Sequence, residues 1–259
     1  YGLWSHRKRL VAVDRRGREV AALGDLGDYE DVAVSPDGRR LAVSRRDPAR
    51  GQNVDIWVID FASGIASRIT SDRTDELSPT WYPDGDRLAY VTEHAGFYDF
   101  SMRPTSGGAE RRLFQTGTDK THPDLSPDGR FLVYGSANEG GFGDLHLLPL
   151  SDGATRPTAL TSTAEFDESF PAFSPDSKWL AYESDESGRP EVYVRRLPSG
   201  PTRRISTSGG GMPVWRRDGK ELFFHARDGM LMAVALHESE DRLETAAPQP
   251  LFDLRLIDV

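Results

Sequence analysis

Apolar residues fall at every second position in short runs along this chain, and the runs come in sets that repeat. Leu41 and Val43 are matched by Leu88 and Tyr90, Leu132 and Tyr134, Leu180 and Tyr182, and Leu222 and Phe224. An i, i+2 spacing is the period of a strand that buries one face. Each pair follows a turn: Pro36-Asp37-Gly38, Pro83-Asp84-Gly85, Pro127-Asp128-Gly129, Pro175-Asp176-Ser177 or Arg217-Asp218-Gly219. Pro presets φ, Asp accepts a hydrogen bond from the backbone two residues on, and Gly takes up positive φ. The tripeptide therefore reads as a hairpin hinge, and its Asp as a turn residue rather than a functional carboxylate. Two residues ahead of each turn stands a large apolar group, Val34, Trp81, Leu125, Phe173 or Trp215, which marks the strand entering the hairpin.

Third strands are predicted at 54–60, 98–103, 144–148, 191–197 and 230–236, and fourth strands at 67–70, 111–114, 157–160, 202–205 and 250–254. Four short strands per unit, at a period of roughly 45 residues, is the pattern of a propeller blade. Ahead of the first full unit, 10–14 and 19–23 read as the outer strands of a further blade, joined by Arg15-Arg16-Gly17-Arg18. Residues 3–5 are its candidate second strand and the tail 254–259 its candidate inner strand. The expectation is an all-β, six-bladed β-propeller of four-stranded antiparallel blades, one domain over 1–259. Its blades fall at 1–24 plus 254–259, 25–72, 73–117, 118–162, 163–207 and 208–253. Pairing the termini in one composite blade would remove exposed sheet edges.

Composition adds limits. With 32 Lys+Arg against 41 Asp+Glu the net charge is −9, which argues against nucleic acid as a partner and allows a cation or a basic one. The 25 Gly and 17 Pro suit many turns, and the absence of Cys excludes disulfides and thiolate metal sites. No apolar run reaches the length of a membrane span, and no signal peptide is visible. A chain that begins at Tyr1 is expected to be processed or excised from a longer one.

Units such as Phe170-Pro171-Ala172-Phe173-Ser174-Pro175-Asp176, followed by Lys178-Trp179-Leu180-Ala181-Tyr182, resemble the repeats of TolB-like propellers. The segments at 9–18, 184–194, 209–215 and 231–234 resemble more closely the propeller segments behind the membrane anchor of certain bacterial serine/threonine kinases. The resemblance covers essentially the whole chain. It implies six blades and an extracytoplasmic sensor or protein-binding role, in a bacterial or periplasmic setting, without a catalytic residue. No kinase motif is present in the chain.

A propeller binds where the loops entering its innermost strands converge. By repeat position these are 28–31, 74–77, 118–122, 165–169 and 208–212. Four of the five are acidic, and the candidate binding residues are Glu30, Asp31, Asp75, Glu76, Asp119, His122, Asp167 and Glu168. Like charges gathered around one axis would attract a basic peptide or a cation. Calcium suits oxygen-only ligands, but no compact ligand loop is present, and solvated loop charges are the plainer reading. His122 is expected to line the channel, in a place shared with Asp31, Ser78, Phe170 and Met212, and His225 to pack within a second strand. No His pair has zinc spacing, no Gly-x-Ser-x-Gly elbow occurs, and the glycines at 209–211 read as a loop. The leading expectation is a non-catalytic module binding protein or peptide. The alternatives are a substrate-gating propeller of a prolyl-oligopeptidase-like hydrolase and a metal-dependent channel enzyme.

Overall fold

The computed structural model describes residues 8–47, 53–115, 117–137, 143–150, 156–162, 165–239 and 242–254. Every regular element among them is a strand. The first sheet contains β1 (Lys8–Val13), β2 (Glu19–Val34), β3 (Arg40–Arg46), β4 (Val54–Asp60) and β5 (Ala66–Arg68). The second contains β6 (Glu76–Trp81), β7 (Arg87–His94), β8 (Phe97–Pro104) and β9 (Arg111–Phe114). The third contains β10 (Lys120–Leu125), β11 (Phe131–Ala137), β12 (Gly143–Pro149) and β13 (Thr158–Ala159). The fourth contains β14 (Glu168–Phe173), β15 (Trp179–Ser184), β16 (Glu191–Arg196) and β17 (Thr202–Arg204). In the fifth, β18 (Gly211–Trp215), β19 (Glu221–His225) and β20 (Met230–Ser239) are followed by β21 (Arg242–Thr245) and β22 (Gln249–Asp253), which both pair with β20. The paired strands run antiparallel, as short hairpin connections demand. No helix among the described residues is long and apolar enough to cross a membrane.

The architecture is an all-β propeller of five blades, which corrects the expected six. The extra blade does not form because β2 runs unbroken for 16 residues. Its first part pairs with β1 (Leu10 with Leu23) and its second with β3 (Val34 with Leu41), so the N-terminal strands join the first sheet. Gly24, at φ 72°, and Gly27, where a Cβ would come within 3.0 Å of the Tyr29 ring, let the strand change partners without ending. At the other end β22 pairs with β20 rather than with an N-terminal strand. The predicted strand at 3–5 and the tail at 255–259 lie outside the described residues.

The hairpins are built as the tripeptide demands. Asp37, Asp128 and Asp176 accept the N–H of Arg39, Arg130 and Lys178 at 3.0, 3.0 and 3.1 Å, and the Oγ–H of Ser35, Ser126 and Ser174 at 2.5, 2.6 and 2.6 Å. In the other two, Asp84 and Asp218 accept the N–H of Asp86 and Lys220.

The chain divides into two compact units. The first takes in the described residues to Pro123, except Arg15–Gly17; the second takes Arg15–Gly17 and the residues from Asp124 on. In the first unit, Trp81 and Leu88 of the second sheet pack with Ala42, Ile56 and Val58 of the first, and Trp81 Nε1–H donates to Ala33 O at 2.9 Å. In the second unit, Phe173, Leu180 and Tyr182 pack with Val133, Leu145 and Leu147. There Trp215 Nε1–H donates to Ala172 O at 3.0 Å, as Trp81 does to Ala33. Apolar burial of side chains this size is worth roughly 1.5–3 kcal/mol each.

Candidate binding surfaces

In β6, β10, β14 and β18 one place repeats in backbone and varies in side chain. Ser78, His122, Phe170 and Met212 each precede a proline, and each holds a φ between 48° and 52°. The left-handed region costs a non-glycine residue on the order of 1–3 kcal/mol. In three of the four strands the strain coincides with a shift in register against the next strand, between Leu77 and Thr80, Ser169 and Ala172, and Gly211 and Val214. A bulge of this kind re-aims the side chain it carries. The prolines are tolerated because these strands form the edges of their sheets. Asp31 has the matched place in β2, at a register shift between Tyr29 and Val32.

In the first unit, Asp31 accepts the Ser78 N–H at 2.9 Å and the Ser44 Oγ–H at 3.2 Å. Asp75 accepts the Val54 N–H at 2.8 Å, and Asp119 the Tyr98 N–H at 2.9 Å. Each of these two aspartates ties the start of one sheet to a strand of the sheet before, Asp75 to β4 and Asp119 to β8. Glu76 is fully buried, and burial, with Asp55 and Asp72 adding to it, pushes its carboxyl up to about 7 against the hydroxyls of Thr70 and Thr74. The residue matched to it in β10 is Lys120, which is buried and pairs with the equally buried Asp99. Glu30 is exposed and meets Arg46 at 3.4 Å. His122 is half-buried.

Several of these carboxylates share one neighbour. The half-buried Tyr98 hydroxyl is held above its ordinary range by burial first, then by Asp75, Glu93, Asp119 and Glu30. Phe97, beside it on β8, is 39% exposed. The first unit thus places a half-buried tyrosine hydroxyl within electrostatic range of four carboxylates. Neither Tyr98 nor Glu93 stands out in the sequence, because both lie in the β7–β8 hairpin rather than in an inner-strand loop.

In the second unit, Asp167 accepts the Gly143 N–H at 2.8 Å, the same tie that Asp75 and Asp119 make. Glu168 is buried and accepts the Ser184 Oγ–H at 3.3 Å. The glycine loop at the start of the fifth blade borders a cavity of about 410 Å³, walled by Glu183, Pro190, Met212, His225 and Arg227. A Cβ on Gly211 would come within 1.9 Å of Glu183 Oε2, so only bare backbone leaves room for that carboxylate. Burial raises the Glu183 carboxyl, the Met212 N–H opposes this, and Asp167 and Asp185 raise it further. His225 does end a second strand, but it is exposed at the cavity wall, not packed. The signal available in the sequence was the matched place of Glu183, held elsewhere by Ser44, Val91, Gly135 and His225.

Among the described residues no group of three or more His, Asp or Glu is arranged to hold a metal ion. The uncharacterized peptidase YuxL of Bacillus subtilis is 25% identical over 232 residues, covering 72% of this chain and 34% of its own length. A TolB homolog of Chlorobium luteolum is 28% identical over 149 residues, covering 58% of this chain and 33% of its own. The chain thus spans about a third of the length of these curated relatives. A putative TolB from Agrobacterium tumefaciens has the same fold, with a TM-score of 0.70 at 20% identity over 91% of this chain and 86% of that one. The family model described as the TolB beta propeller domain matches residues 27–169, more than half of the sequence and the stretch that carries the first three Pro-Asp-Gly hairpins. With repeat, blade topology and family match in agreement, the chain belongs to the TolB β-propeller family.

Proposed function

We propose that this chain is a non-catalytic propeller that binds a protein or peptide outside the cytoplasm, as a sensor or docking module, and that its first unit takes a basic stretch of the partner. What supports this is that Asp75, Glu93, Asp119 and Glu30 all act electrostatically on the half-buried Tyr98 hydroxyl. Lysine and arginine are drawn to such a surface by charge and held at close range by the aromatic faces. The extracytoplasmic setting rests on the family resemblance.

The test uses the 259-residue chain and a fluorescein-labelled hexalysine peptide, read by anisotropy at low and high salt. The Glu30→Gln/Glu93→Gln double variant spares Asp75 and Asp119, which have backbone ties to keep. It should bind at least about tenfold more weakly, and added salt should weaken the parent, because exposed charges are screened beyond about 8–10 Å. Equal affinity in parent and variant, or no binding by the parent, overturns the reading.

A second reading is a propeller that gates substrates for a hydrolase domain in a longer protein. It is favoured by the likeness to YuxL, a named peptidase of which this chain spans about a third.

A further inference from the structure

One wall of the fifth-blade cavity carries a carboxylate without an ion-pair partner. Glu183 is half-buried, and among the described residues its carboxylate has a single hydrogen bond, from the Met212 N–H at 3.3 Å, and no ion pair. Three interior carboxylates of this chain have a basic partner, Asp55 with Arg68 at 2.7 Å, Asp99 with Lys120 and Glu191 with Arg189 at 2.8 Å, whereas Glu76 is held by threonine hydroxyls. A carboxylate set back from bulk water gains from a well-placed counter-charge. Here the glycine backbone opens the way to it. Gly211 leaves the carboxylate lying against the main chain, and Met212, strained at φ 52° and 52% exposed, directs its flexible thioether side chain away from the core. Pro190 and Ala226 complete an apolar wall.

We infer that this cavity is an anchor site for a lysine-type side chain, its ammonium on Glu183 and its methylene stem along Met212, Pro190 and Ala226. A volume of about 410 Å³ accommodates one such side chain with room for water. Two guanidiniums also border the cavity, and neither pairs with Glu183: Arg189 is engaged by Glu191 at 2.8 Å, and Arg227 is exposed, its Cβ 3.2 Å from where a Cβ on Gly209 would stand. The arrangement in the third blade, where Lys120 is fully buried on Asp99, shows the same pairing made within the chain. This site is separate from the surface around Tyr98 and does not depend on it.

The probe is Nα-acetyl-L-lysine methylamide, titrated calorimetrically into the 259-residue chain beside its norleucine counterpart, which keeps the stem and lacks the ammonium. The lysine compound should bind at least about tenfold tighter than the norleucine compound. Glu183→Gln should abolish that preference, and Gly211→Ala should weaken binding by displacing the carboxylate, with thermal melts confirming that both variants fold. Arg227→Gln should leave binding unchanged or tighten it. Glu30→Gln/Glu93→Gln should leave it unchanged, so the two binding sites stand or fall separately. Equal binding of the two compounds, no binding of either, or a loss confined to Arg227→Gln would overturn the assignment, the last by pointing to a carboxylate ligand.

Discussion

Glu191 and Glu76 are both fully withdrawn from solvent and differ in what surrounds them. Burial alone would raise Glu191, but the Ser206 hydroxyl, Arg189 and the Gly209 N–H together hold its carboxyl below the ordinary range. Glu76 has two threonine hydroxyls and two nearby carboxylates, and burial pushes it up to about 7. A folded-state value above the ordinary 4.5 means that the folded chain binds the proton more tightly than the unfolded one. The benefit is complete below about pH 4.5 and is lost as pH rises toward 7, to an upper bound on the order of 3 kcal/mol. Urea unfolding at pH 5 and pH 8 should show the parent losing stability across that interval. In Glu76→Gln, which has no proton to release, the loss should be smaller by up to that amount. An identical loss in the variant would assign the effect elsewhere.

At the scale of the strand, the repeated place held by Ser78, His122, Phe170 and Met212 carries a cost that the side chain does not recover locally. Met212 is the cleanest case, being 52% exposed. Glycine adopts positive φ without steric penalty, so Met212→Gly should raise stability by about 1 kcal/mol despite the flexibility it adds. The control is Val214→Gly two residues on in the same strand, without positive φ, which should lower stability by a similar amount. Thermal denaturation of the two variants gives the comparison directly.

The sequence makes the hairpins legible, because Asp37 and its counterparts have one geometric use, and it makes the third strands legible to within three residues at either end. The positive φ ahead of each proline is not legible. Proline restricts the preceding residue, but which region it occupies is decided by pairing to the neighbouring strand. The sixth blade failed for a related reason: the boundary expected between 24 and 25 falls inside one continuous strand that pairs with β1 and then with β3. Alternation of apolar residues does not tell a change of partner from an end.

Across each unit the sheets are joined by directed polar ties as well as by apolar packing. Asp75 accepts the N–H of Val54, which is buried, so removing the carboxylate strands a donor away from water. Asp75→Ala should cost about 1–3 kcal/mol and Asp75→Asn much less, since the amide oxygen still accepts; chemical denaturation separates them. The sequence marks the inner-strand loops as acidic. Their division was not: Asp75, Asp119 and Asp167 face backbone donors, Glu76 and Glu168 lie inside, and Glu30 is left at the surface. Neighbouring positions on a strand point to opposite sides, so a one-residue step decides between these outcomes. The cavity beside Glu183 depends on contacts between sheets that no local pattern reports.

The direction of these aspartate ties has a consequence for how the chain is made. Asp75 serves Val54, Asp119 serves Tyr98 and Asp167 serves Gly143, so in the first three blades this strand is capped by a residue synthesised later. During translation a blade therefore waits, with its last donor open, until the ribosome has delivered the beginning of the next one. Folding should trail synthesis by about half a blade over these three, and a stall just before any of these aspartates would leave the preceding blade assembled but unlatched.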